Sequence, residues 1–176
     1  MKKRIIVLSV LISTGASVWL FARPRGPESF GTPNGRPALT GLNKAFPADS
    51  RNVFEQSDRF ILYSIESRPT PNQANTFHGY PIVGQTEIKD EKIKSDLVAH
   101  FYDGMAAESI AKGCFSPHHA IRAMKGQKTV DLVICFSCSG VHIYYGEERS
   151  RTHVAQEPER FYNAVLATVG VPRSKH

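Results

Sequence analysis

The sequence predicts an α+β domain, with helices on one face of a mostly antiparallel sheet. Three observations predict it. Short apolar runs rich in β-branched and aromatic residues recur between Gly, Pro and Asn clusters from Arg59 to Tyr145. Two longer stretches carry apolar residues at four-residue spacing, the pattern of helices with one buried stripe. The connections within 119–145 are short, which suits antiparallel neighbours. A short helix precedes a predicted order β-β-α-β-β-β-α, with about five strands.

Asp49 or Ser50 is placed to cap that first helix, which runs through Gln56. Arg59 to Glu66 (RFILYSIE) reads as a strand buried on both faces. RPTPNQAN, with two prolines, is a loop. Tyr80 to Lys89 is a second strand, with Gly84 marking a bulge. Asp90 caps a helix to about Lys112, with Ile93, Leu97, Phe101 and Met105 on its apolar stripe and Gly113 at its C-terminal cap. Three strands follow. A last helix runs from about Pro158 to Val169, ended by Gly170 and Pro172.

Ahead of this domain (48–172, with a tail at 173–176) stand two other segments. Lys2-Lys3-Arg4 precedes seventeen uncharged residues, Ile5 to Phe21, as in the charged and apolar regions of an export signal. At a helical rise they span about 25 Å, near the roughly 30 Å of a bilayer core. Residues 1–22 therefore read as a signal peptide or signal anchor, with 5–21 as the membrane partner if it stays attached. The domain is then extracytoplasmic, anchored or secreted. Residues 23–47 hold nine Pro or Gly and read as an extended linker.

The formal charge is +6, and three of the 22 basic residues sit in the leader. No basic tract is interleaved with aromatics, so no nucleic-acid partner is expected. No nucleophile elbow or phosphate loop is present, and no catalytic residue is assigned.

The three cysteines all fall between Cys114 and Cys138. A hairpin turn at Gly126-Gln127 sets Lys125 against Lys128, Ile121 against Leu132 and Ala123 against Val130, which makes one clean apolar face with Ile134. The other face then pairs Arg122 with Asp131 and His118 with Cys135. A three-residue turn would bring His119 to Cys135 instead, although His119 otherwise points into the core. A four-residue loop at Ser137–Gly140 sets Cys135 opposite His142. Cys138 sits on that loop, and Cys114 folds back from the helix end.

Three readings follow. The first is a metal site, with zinc held by Cys114, His118, Cys135 and Cys138, and His119 or His142 as the alternative imidazole; thiolates and imidazole suit zinc, and a two-residue gap lets one turn supply two sulfurs. The second is a non-enzymatic envelope interaction module stapled by one disulfide, from Cys114 to Cys135 or Cys138. The third is a thiol oxidoreductase using Cys135 and Cys138, although a reactive pair usually sits at a helix N-terminus and this one lies between strands. Elsewhere, His78 reads as a turn residue and Arg122–Asp131 as a strand-pairing device.

The pieces FHGYPIVGQTEI, CFSPHHAIRA and VDLVICFSC together resemble a group of small exported bacterial proteins. Its signature is Cys-Phe-x-Pro-Arg-His-x-Ile followed by Asp-Leu-Val-Ile-Cys-Phe-x-Cys, and the likeness covers about residues 59–146. It implies a shared domain and no particular reaction. All three cysteines fit, whereas His118 stands where the group has Arg. The resemblance therefore implies His119, rather than His118, as the ligand.

Overall fold

The computed structural model describes residues 46–71, 73–110 and 112–174. Leader, linker and tail end (residues 1–45, 175 and 176) lie outside the described residues, so the expected signal and its membrane contact do as well. No helix among the described residues is long and apolar enough to cross a membrane.

The elements in chain order are α1 (Ala48–Glu55), β1 (Arg59–Ile65), β2 (Thr76–Phe77), β3 (Tyr80–Glu87), α2 (Glu91–Ala106), β4 (His119–Lys125), β5 (Lys128–Cys135), β6 (Gly140–Tyr145), β7 (Glu148–Thr152) and α3 (Glu159–Thr168). The strands form one seven-stranded sheet in the order β2-β3-β1-β4-β5-β6-β7, with every neighbouring pair antiparallel. The α+β class with an antiparallel sheet is therefore as expected. The strand count is seven among the described residues, not about five.

The two additional strands lacked a sequence signal. β2 is only two residues long. β7, ERSRT, is polar throughout and takes the edge, where charged side chains face water and block further pairing. Gly146, at φ +59°, lets the β6–β7 chain reverse in two residues.

All three helices supply one core. Phe54 of α1, Leu97 and Phe101 of α2, and Phe161, Tyr162 and Leu166 of α3 pack with Phe60, Leu62, Ile121, Leu132 and Ile134 of the sheet. Tyr162 is fully buried, and its hydroxyl donates to the Leu97 carbonyl at 2.9 Å, so this core leaves that polar tip satisfied. The opposite sheet face carries a smaller cluster of Ile61, Tyr63, Ile65, Phe77, Ala120 and Val133.

Asp90 caps α2 as expected: its Oδ1 accepts from the amides of Lys92 and Ile93 at 2.8 and 3.1 Å. α1, however, has Pro47 rather than Asp49 or Ser50 at its N-cap, and Ser50 donates back to the Pro47 carbonyl at 3.0 Å. α2 also ends at Ala106 rather than near Lys112, with Ala107 already extended. Its apolar stripe stops at Met105, so another turn would bury nothing. A Cβ on Gly104 would lie 2.7 Å from Pro158 Cγ, so the close approach of this helix to Pro158 requires a glycine. The early stop leaves residues 112–118 outside any helix, as a strap held to the 134–138 rim of the sheet. That strap carries Cys114.

Candidate functional site: three sulfurs under an extended strap

The β4–β5 register is the predicted one from Lys125↔Lys128 to His119↔Ile134, but the ladder ends there and the expected pair of His118 with Cys135 is not part of it. Gly126 takes φ +56° at the turn, and the alternation of core residues leaves one possible face. The β5–β6 register differs from expectation by two residues. Cys135 faces Gly140, and His142 faces Val133. The turn is Phe136–Ser139, closed by the Ser139 amide donating to the Phe136 carbonyl at 3.1 Å, with Ser139 at φ +54°. A two-residue shift preserves parity, so His142 stays on the Cys135 face.

Cys135 and Cys138 form a disulfide across this turn, with Cα atoms 5.2 Å apart. Neither of the pairings expected for a structural staple, Cys114 to Cys135 or to Cys138, is present. Both bonded sulfurs belong to buried residues, 1% and 3% exposed. Cys114 is a free, exposed cysteine.

The strap is pinned to the turn by backbone bonds. The Lys112 amide donates to the Cys138 carbonyl at 3.2 Å, and the His118 amide donates to the Ile134 carbonyl at 3.3 Å. Between them the Ser116 amide donates to Cys138 Sγ at 3.2 Å. These contacts hold Cys114 Sγ 3.9 Å from Cys138 Sγ. A further amide, that of Cys138 itself, donates to Cys135 Sγ at 3.2 Å. Each bonded sulfur thus accepts one N–H. Cys135 Sγ also lies 3.1 Å from the Ser116 carbonyl oxygen. That oxygen can accept a proton donor only when Cys135 is a thiol.

The histidines divide. His142 stacks on Phe115 of the strap at 3.9 Å, and its Nδ1 accepts from Arg149 Nη2 at 2.9 Å. Burial first, then the charges of Arg149 and Arg151, push its pKa down to about 4. The ring is therefore neutral at pH 7, and Nε2 carries its proton. His119 points into the helix-side core, with Nε2 donating to Asn163 Oδ1 at 3.0 Å and the ring set edge-on to Phe136. Burial lowers its pKa to about 4, against the raising effect of that hydrogen bond. His118 lines a different hollow, of about 570 Å³, with Ser64, Glu159, Asn163 and Arg173. Burial lowers its pKa too, opposed by Glu159 and Glu66. Of the expected donors, then, the structure gathers the three sulfurs and seats His118 and His119 elsewhere. In this disulfide form no three His, Cys, Asp or Glu side chains among the described residues are grouped to hold a metal ion.

A cleft of about 460 Å³ opens beside Cys114, lined by the strap, the 138–142 turn and Arg151 to His153 of the β7 edge. Arg149 and Arg151 had no place in the sequence reading because β7 had none.

A second polar cluster lies on the helix-free face. Arg122 Nε and Nη2 donate to Asp131 Oδ1 and Oδ2 at 2.8 and 2.7 Å. His78 Nε2 also donates to Oδ2, at 2.7 Å. The strand-pairing role of Arg122 and Asp131 is as expected. His78 is the turn residue it was read as, at φ +50°, yet it also closes this cluster. No sequence signal linked it to Asp131, because the two-residue β2 that carries it over the sheet is too short to read.

No protein-family model, curated protein or solved structure matches the chain.

Proposed function

We propose that this chain is an extracytoplasmic thiol–disulfide exchange protein. In this reading Cys114 meets partners and the Cys135–Cys138 disulfide is the internal oxidant. The observation that carries it is the placement of an exposed thiol 3.9 Å from one sulfur of a buried disulfide. Cys135 and Cys138 are nearly fully buried whereas Cys114 is exposed, so Cys114 is the sulfur that a partner thiol meets first. Cys114 thiolate attacks Cys138 Sγ, the Cys135–Cys138 bond breaks, and Cys135 leaves as a thiolate. The Cys138 amide already points at that leaving sulfur and stabilises its charge. The product is a Cys114–Cys138 disulfide with one exposed sulfur. A partner thiolate then attacks Cys114 Sγ and releases Cys138 thiolate. A second partner thiolate closes the partner disulfide and frees Cys114. Two electrons pass from the partner dithiol to the Cys135–Cys138 pair. Amide hydrogen bonds here take the place that a helix N-terminus holds in other reactive pairs.

The leader supports the location. Lys2-Lys3-Arg4 and the uncharged run 5–21 suit export, and an oxidising compartment keeps such a disulfide formed. The test is stoichiometric oxidation of a dithiol peptide by the purified protein. Wild-type protein should oxidise about one equivalent, whereas Cys114→Ser should oxidise it at no more than the buffer rate. Equal rates for the two proteins would remove the reading.

One observation favours a second reading for the reduced protein. Two thiolates on one zinc lie about 3.5–4 Å apart, the separation of Cys114 and Cys138. Reduction would add Cys135 to this pair. His142 could complete the set only by releasing Arg149, since its Nδ1 is engaged and its Nε2 is protonated. Zinc bound by the reduced chain and absent from the oxidised chain would support this reading. No zinc retained by either form would exclude it.

A further inference from the structure

We propose that the partner of Cys114 is a thiol flanked by carboxylates. This rests on the exchange reading above and names its substrate class. The cleft beside Cys114 is lined by Lys112, Phe115, His142, Arg151 and His153, and among the described residues no Asp or Glu contributes to its wall. Lys112 and Arg151 are both exposed. Neither is held in an ion pair among the described residues. Two cations outside any ion pair line the same cleft as the reactive sulfur, and they concentrate anions at it. Phe115 and Val141 supply an apolar floor, and about 460 Å³ accommodates a ligand of a few residues. Cationic thiols meet only repulsion there.

The shared chemistry has two sources: a free acidic peptide thiol, or a cysteine within an acidic protein segment. Both are tested by the rate at which reduced protein reacts through Cys114 with disulfide probes of matched reactivity. The free-thiol arm compares glutathione disulfide (anionic), hydroxyethyl disulfide (neutral) and cystamine (cationic). The segment arm compares a cysteine peptide flanked by Asp with one flanked by Lys, each as its disulfide. The expected order is anionic over neutral over cationic, with on the order of tenfold between the extremes at low salt. The spread should shrink in 0.5 M salt. In Lys112→Glu/Arg151→Glu the ratio of anionic to cationic rates should invert. A preference in both arms assigns small acidic thiols as sufficient, and a preference in the peptide arm alone assigns the segment. Rates that ignore probe charge, with Cys114 still reacting with the neutral disulfide, overturn this inference and leave the exchange reading standing. A Cys114 that reacts with none of the probes removes both.

Discussion

Cys114 Sγ lies 3.9 Å from Cys138 Sγ, although the two residues are 24 apart in sequence and belong to different segments. The strap's hydrogen bonds through Lys112, Ser116 and His118 hold them there. An oxygen in place of the Cys114 sulfur keeps this packing and removes the nucleophile. Because Cys114 is exposed, Cys114→Ser should change stability by no more than about 0.5 kcal/mol. Thiol titration of the denatured variant should find no free thiol, against one in the wild type. A variant with two free thiols would place Cys114 in a disulfide of its own.

The disulfide closes a very short loop, so its contribution through the unfolded chain is small, about 2 kcal/mol. Reduction should therefore leave the domain folded. Urea titrations of oxidised and reduced protein should differ by that amount, with unchanged far-ultraviolet circular dichroism. Unfolding on reduction would show that the bond holds the turn rather than cycling.

His119 is 3% exposed, and burial holds its pKa near 4 in the fold. In the unfolded chain it titrates near 6.5. Between these values the unfolded state binds the extra proton, so stability falls as pH drops from about 6.5 to 4 and changes no further below that. The size is about 3 kcal/mol. His119→Gln should be less stable than wild type at pH 7 and flatten this part of the curve. An equal slope in both proteins would contradict the assignment.

Asp131 gives a second, lower acid step. Burial raises its pKa, but the hydrogen bonds from Arg122 and His78 outweigh burial and leave it below the ordinary carboxylate value. Its contribution is therefore present above about pH 4 and lost as pH falls further. Asp131→Asn keeps the shape, removes the charge and strands Arg122. It should cost about 1–2 kcal/mol at pH 7 in chemical denaturation, less than for a fully buried pair because the Arg122 side chain is 39% exposed. A cost below about 0.5 kcal/mol would mean that the cluster is merely solvated.

Gly104→Ala tests the close approach of α2 to Pro158 at the start of α3. Helix propensity alone would favour Ala by about 1 kcal/mol. The added Cβ would sit 2.7 Å from Pro158 Cγ and 3.0 Å from Val154 Cγ2. The variant should lose about 1–3 kcal/mol by overpacking, measured as a lower thermal midpoint. A raised midpoint would show that α3 can move away.

These features were unequally legible in the sequence. The β4–β5 register could be read because the core residues alternate and Gly126 marks a two-residue turn. The β5–β6 turn could not be placed as well, since Phe136–Ser139 and Ser137–Gly140 both offer a four-residue loop. Only the backbone of Ser139, a non-glycine with positive φ, selects the first. The gathering of the sulfurs was legible as a tendency of one sheet rim. The bond between Cys135 and Cys138 was one of the alternatives left open, because the spacing alone suits a chelate or a disulfide equally. The cationic cleft wall was hidden for a different reason: β7 pairs through its backbone while its side chains read as loop.

The passage of oxidation through Cys114 can be timed directly. Fully reduced protein is mixed with one equivalent of a chromogenic aromatic disulfide, which reaches the exposed Cys114 first. Cys138 then displaces the second chromophore, and Cys135 displaces Cys114. Two chromophores should be released per reagent, the second in a concentration-independent phase, and peptide mapping should find Cys135–Cys138 bonded with Cys114 free again. Release of one chromophore only, with the other left on Cys114, would contradict exchange between these sulfurs.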